Sequence, residues 1–164
     1  MDDLMATKVQ PFYLTMMGLN APSADAATLA AVKAAAAGVT LEQVVRLLRD
    51  TWRERVMGAW YSLSFPPEQV GDELAQSMRT SGGSLTAPAI ATAAIVILGA
   101  SAAPALWAYE ANAPADGSSG FVAAALEHIG AETTVPAPQR DRHALVEMLA
   151  VAHVLREGEL DRAR

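Results

Sequence analysis

Thirty consecutive residues, Thr80 to Tyr109, carry no charged side chain. A run of that length exceeds the roughly 20 apolar residues that cross a bilayer. Its composition argues instead for burial inside protein. Gly82, Gly83, Pro88, Gly99 and Pro104 interrupt it, alanine is its commonest residue, and dense Ile, Val and Leu is confined to residues 95–98. Alanine is barely apolar enough to favour lipid, and no cluster of Lys or Arg flanks the run. Pro104, shortly after Gly99, marks the end of one helix and the start of another. The run therefore predicts two short, buried helices, 87–99 and 102–112, joined at Gly99–Ser101.

Helix signals punctuate the rest of the chain. Asp25 precedes "AATLAAVKAAAA", which stops at Gly38, read as a left-handed cap. Thr40 to Gln43 and Thr51 to Glu54 both read as capping boxes, opening helices to about Arg49 and along "WRERVMGAWYSLSF". Pro66 and Pro67 end the latter and seed a helix over 67–79. Thr86, Ser101 and Ser119 stand where caps of the next three helices are expected, and Gly130 where the third stops. A last helix is expected over 139–157, and one short helix near the N-terminus. The sum is one domain, 1–164, all-α, with seven or eight helices and no strand.

A repeat suggests how they pack. Ala93, Ala94, Ile95, Leu98, Gly99 and Ala100 match Ala124, Ala125, Leu126, Ile129, Gly130 and Ala131 at a spacing of 31. At a spacing of 35, Ala59 and Leu63 match Ala94 and Leu98. Small residues admit a neighbouring backbone, a larger aliphatic fills the layer, and glycine permits a sharp turn. Recurrence at 31–35 residues is solenoid spacing, a little short for HEAT repeats. The expected architecture is a HEAT-like stack of helix pairs over about 40–131, capped by the helix at 139–157.

The motifs "LLRDTWRERVMGAWYSLSF", "AAIVILGASAAPALWAYEANAP" and "FVAAALEHIGA" resemble an uncharacterised actinobacterial family of HEAT-like helix pairs. That family pairs a Trp-Arg-x-Arg…Ala-Trp helix with an Ala-x-x-x-Gly helix pair. Trp52, Arg53, Arg55, Ala59, Trp60 and Gly99 stand at the matching places, within about residues 44–131. The resemblance implies the fold and offers no catalytic residues.

The chain has no cysteine, which excludes disulfides and thiolate metal sites. The acidic start "MDDLMATKVQ" lacks a secretory pattern, so a cytoplasmic protein is expected. Net charge is −6, and no Lys or Arg lies between Arg79 and Arg140, a gap holding Glu110, Asp116, Glu127 and Glu132. Nucleic acid, which demands a basic face, is a poor partner for that region, and a basic protein surface a better one.

No Walker loop, nucleophile elbow or dinucleotide fingerprint is present, and His128, His143 and His153 do not assemble into a metal pattern. No cofactor is expected. The aromatics Trp52, Trp60, Tyr61 and Phe65 lie on two faces of one helix, which reads as a central core helix rather than a ligand pocket. Arg53 and Arg55, in its first turn, call for an acidic partner such as Asp50, or an anion.

The expected function is non-enzymatic protein binding, as an immunity, neutralising or adaptor protein with an acidic face. The alternatives are a small-molecule-binding regulator and a helical-repeat enzyme acting on nucleic acid. The surface candidates are Asp72, Glu73 and Gln76 on 67–79, Trp107 and Glu110 on 102–112, and Asp116 in the following loop. Trp107 lies nearly opposite the inward residues Leu106 and Tyr109, and matches Asp72 at the 35-residue spacing. It serves either as an exposed anchor or as core between helix pairs.

Burial of the uncharged run in protein predicts a simple fractionation result. Expressed without detergent, the chain stays in the supernatant after high-speed centrifugation. Retention on membranes through a carbonate and salt wash would contradict the two-helix reading of 87–112.

Overall fold

The computed structural model describes residues 2–112 and 117–157. All regular structure among them is helical. The helices are α1 (Tyr13–Met16), α2 (Ala26–Ala37), α3 (Leu41–Arg49), α4 (Trp52–Ser62), α5 (Pro67–Thr80), α6 (Ala87–Leu98), α7 (Ala103–Asn112), α8 (Ser119–His128) and α9 (Gln139–Arg156). A π-helical turn at Met5–Val9 and 3₁₀ turns at Ala21–Ser23 and Gly99–Ala102 complete the described elements. The one short helix expected near the N-terminus is α1, flanked by the π-helical turn and the 3₁₀ turn at Ala21–Ser23.

Six helices form two rows. α3, α5 and α7 follow one another in the first, and α4, α6 and α8 in the second. α3 lies against α4, α5 against α6, and α7 against α8. A third layer covers the far side of the second row. There α9 packs on α6 and α8 and reaches α2 and the turn at Ala21–Ser23, while α1 and the π-helical turn pack on α4.

α6 is the centre, which is why it tolerates no charge. Every residue from Ala87 to Ile95 is buried, on all faces of the helix. Alanine side chains let neighbours approach from every side, and burying a charge there would go uncompensated. Thr92, the polar residue at its middle, returns its hydroxyl to the Pro88 carbonyl at 2.7 Å. The combined segment Ala87–Asn112 is long and apolar enough to cross a membrane by length and composition, and 67% of its most apolar window is buried within the protein.

The alanines matched in the sequence fall in the second row. Ala59, Ala94 and Ala125, equivalent in the matched sequences, lie in α4, α6 and α8 and are all fully buried. Gly99 and Gly130 follow α6 and α8 with φ of 57° and 74°, a left-handed conformation that favours glycine at both ends. Glycine works differently at Gly58. A Cβ there would stand 3.0 Å from the Leu48 nitrogen and from Leu47 Cβ, so α3 and α4 approach through its missing side chain.

The caps differ in detail from the sequence expectation. Thr40 and Gln43 form the full reciprocal capping box of α3. At α4 the box does not form: the Asp50 carboxylate accepts the Thr51 N–H at 2.8 Å, and the Thr51 hydroxyl goes to the Glu54 carboxylate. Gly38 has φ −99° and is no left-handed cap. Its lack of a side chain admits Lys8, whose ammonium donates to the Ala35 carbonyl at 3.0 Å near the end of α2. Thr86 holds the N-cap position of α6 without a side-chain cap bond, Ser101 falls inside a 3₁₀ turn, and Ser118 precedes α8 where Ser119 was expected.

A methyl-sized gap between helices leaves no room for a larger side chain. Ala94→Leu and Ala125→Leu are therefore expected to overpack the second row and cost roughly 1–3 kcal/mol each. Leucine at exposed Ala111 is expected to change stability by less than about 0.5 kcal/mol. Denaturant midpoints measure the difference, and wild-type midpoints for both buried variants would contradict the packing role of the repeat.

Candidate functional site

The candidate surface is the outer side of α5 and α7, neighbours in the first row. Apolar residues at a helical period turn each helix inward. On α5 they are Val70, Leu74 and Met78, and on α7 they are Ala102, Ala105, Leu106 and Tyr109, counting the turn before it. The opposite positions point outward. Glu68, Asp72 and Gln76 succeed one another at four-residue steps along α5 and are exposed. On α7, Pro104 and Ala111 are exposed, and Trp107 is 44% exposed.

Asp72, Gln76 and Trp107 are each exposed, at outward positions of α5 and α7. Glu68 and Asp72 have no ion-pair partner among the described residues. Glu73 is half-buried and spoken for, since Arg49 of α3 grips it with two hydrogen bonds, one of them 2.9 Å from Nε. The guanidinium holds the Glu73 carboxyl below its ordinary value. Asp116 lies outside the described residues.

Glu110 corrects the sequence reading, which set it beside Trp107 on the polar face. It is only 8% exposed. Its carboxylate accepts from the Thr133 hydroxyl at 3.0 Å and the Thr134 N–H at 3.1 Å. These bonds satisfy a nearly buried charge and tie the α8–α9 connector to α7. Trp107 joins the same clamp, its indole N–H donating to the Glu132 carbonyl at 2.7 Å. One edge of the ring is engaged with the chain itself, while nearly half of the residue faces outward. Neither "anchor" nor "core" alone describes it.

A second carboxylate also fastens the connector. Glu127, near the end of α8, accepts the Ala137 N–H at 2.9 Å and two bonds from Arg142 of α9, at 2.8 and 3.2 Å. Arg142, with the Ala137 N–H beside it, holds the Glu127 carboxyl below its ordinary value.

Arg53 and Arg55 find neutral partners rather than the expected carboxylate. Arg55 donates from Nε to the Asp50 carbonyl at 2.7 Å and from a terminal nitrogen to the Thr80 hydroxyl at 2.9 Å. Arg53 lies over the Trp52 and Tyr13 rings, at 4.9 and 5.2 Å from their centroids. Such stacking is weak at an exposed site, on the order of 0.5–1 kcal/mol.

Trp60 and Tyr61 of α4 are buried in the core, as expected, while Trp52 and Phe65 are half-buried against it. Trp60 donates its indole N–H to the Met16 carbonyl at 3.0 Å, and Tyr61 donates its hydroxyl to the Lys8 carbonyl. Burial pushes the Tyr61 phenol up. Both rings therefore pin the N-terminal turns to the second row. The sequence showed the aromatic pattern but not these bonds, since backbone carbonyls as partners leave no mark in side-chain identity.

His143 and Glu147 sit 3.4 Å apart on the exposed side of α9. Among the described residues no three His, Asp or Glu side chains converge to hold a metal ion. No family model, curated protein or solved structure matches the chain.

The depressed carboxylates set a pH dependence. Glu73 and Glu127 contribute fully to stability above the unfolded glutamate value of 4.5, and that contribution is lost as pH falls through their lower folded values. Thermal melts from about pH 6 to about pH 3 are expected to show falling stability, with a shallower fall for Glu127→Gln. An unchanged slope in the variant would mean that the connector clamp is not coupled to folding.

Proposed function

We propose that the two rows are a short HEAT-like stack, as in the family the sequence resembles, and that the chain is a non-enzymatic protein-binding module. Its partner presents a basic surface to the outer side of α5 and α7. One observation carries this reading. Glu68 and Asp72 are exposed on α5 with no ion-pair partner among the described residues, next to the helix bearing half-exposed Trp107. Unneutralised carboxylates attract a basic surface and steer its approach, and a partly exposed indole supplies the apolar contact on which binding energy concentrates.

Packing supports the same side. α4, α6 and α8 are covered by the third layer, whereas no described helix lies over α5 and α7. Gln76 extends the exposed line, and the long interval without Lys or Arg, from Arg79 to Arg140, includes all of α6 to α8. An immunity or neutralising protein that occludes a basic domain fits this chemistry, as does an adaptor.

Site-specific photo-crosslinking in the cells that make the protein tests the proposal. A crosslinker at Gln76 is expected to capture a protein through a Lys/Arg-rich peptide, while one at Ala30 on α2 does not. Trp107→Ala is expected to weaken binding of the captured protein by about 2 kcal/mol, roughly thirtyfold. Asp72→Lys is expected to slow association most at low salt. Capture through an acidic or uncharged peptide, or equal capture from Ala30, would overturn the assignment.

A further inference from the structure

We propose that the outer face of α9 is a twofold interface with a second copy of this chain. Its inward side is fully used: Leu145, Met148, Leu149, Val151, Ala152 and Leu155 are buried. Its outward side is apolar along the middle, and at its C-terminal end Lys33 of α2 donates to the Val154 carbonyl at 3.3 Å and to the Glu157 carbonyl. Val146 is 63% exposed, the highest among the large apolar side chains of the described residues, and Val154 is 46% exposed. Ala150 lies between them, also exposed. A hollow of about 290 Å³ runs beside this ridge, between α9 and the N-terminal turns, lined by Pro22, Leu29, Glu147, Ala150, Val151 and Val154.

The face is complementary to itself. At about 100° per residue, Ala150 marks its centre line, and His143 and Glu157 lie within about 20° of that line, seven residues before and after it. A twofold axis through Ala150, perpendicular to α9, sets the two helices antiparallel. Ala150 then meets Ala150 of the second copy, and the small side chains allow close approach. His143 comes opposite Glu157 of the second copy, and the pairing repeats by symmetry. Val154 comes over the Glu147–Ala150 end of the hollow in the second copy, and receives the same contact in return.

The charge pattern favours this occupant over others. The exposed face carries Glu147 and Glu157 together with His143, His153 and, at its C-terminal end, the Lys33 ammonium, so it matches neither a uniformly acidic nor a uniformly basic partner. Its like-for-like match is its own reverse. This interface does not rest on the partner-binding proposal. It lies on the third layer, away from α5 and α7, so a dimer would hold two such surfaces free.

The absence of cysteine makes the test direct. In the full chain, Ala150→Cys places one thiol on the axis and is expected to form a disulfide-linked dimer under mild oxidation. Gln76→Cys, on α5, is expected to remain monomeric. Sedimentation of the native chain at rising concentration is expected to show a monomer–dimer equilibrium. Val146→Glu is expected to raise the dimer dissociation constant tenfold or more, with an unchanged melting temperature because the position is exposed. Glu157→Lys is expected to weaken the dimer, and adding His143→Glu to restore it. A native chain that stays monomeric at every concentration, or equal crosslinking from Ala150→Cys and Gln76→Cys, would overturn the proposal.

Discussion

The burial of α6 on every side is the constraint on which the arrangement depends. Neighbours surround it: α4 and α8 in its own row, α5 in the first row, and α9 in the third layer. A helix can accept neighbours all round only if no face needs water. The alanines at 87, 89, 91, 93 and 94 meet that condition and keep its diameter small. Dispersion gains grow with close approach, so a slender helix in the middle of a stack is worth more than its own apolar area suggests. Gly58 repeats the device between α3 and α4, where a single missing Cβ sets the helix spacing.

Polar tips then hold the outer segments to that centre. Trp60 and Tyr61 bury their rings in the core and reach backbone carbonyls of the N-terminal turns. Glu110 and Glu127 do the same for the α8–α9 connector, with Trp107 as a third point. A connector without regular structure has unpaired backbone groups, and carboxylates and an indole N–H supply part of what a helix would provide. These residues secure the third layer. Without the connector held in place, α9 would have no defined course back across α8 and α6.

The division of polar residues bears on function. Glu73, Glu110 and Glu127 are occupied by the fold, and among the described residues Glu68 and Asp72 have no ion-pair partner. Sequence cannot make that distinction, because an acid on an outward helical position looks the same in either case. Glu110 shows why. At about 100° per residue it lies on the flank of α7, between Leu106 and Trp107, and the connector folding back over α7 completes its burial.

Much of the framework was legible in the sequence. The uncharged run marked α6 and α7, Pro66, Pro67, Gly99 and Gly130 marked helix boundaries, and the matched alanines Ala59, Ala94 and Ala125 fall at buried positions. Those signals are local: they depend on periodicity, on proline's missing N–H, and on glycine's freedom at positive φ. The third layer, the partners of Arg53 and Arg55, and the clamp on the connector were decided only by tertiary structure. The clamp joins residues distant in sequence, in large part through backbone carbonyls and N–H groups that every residue carries. A hydrogen bond to a group present at all positions cannot be read from the identity of any one.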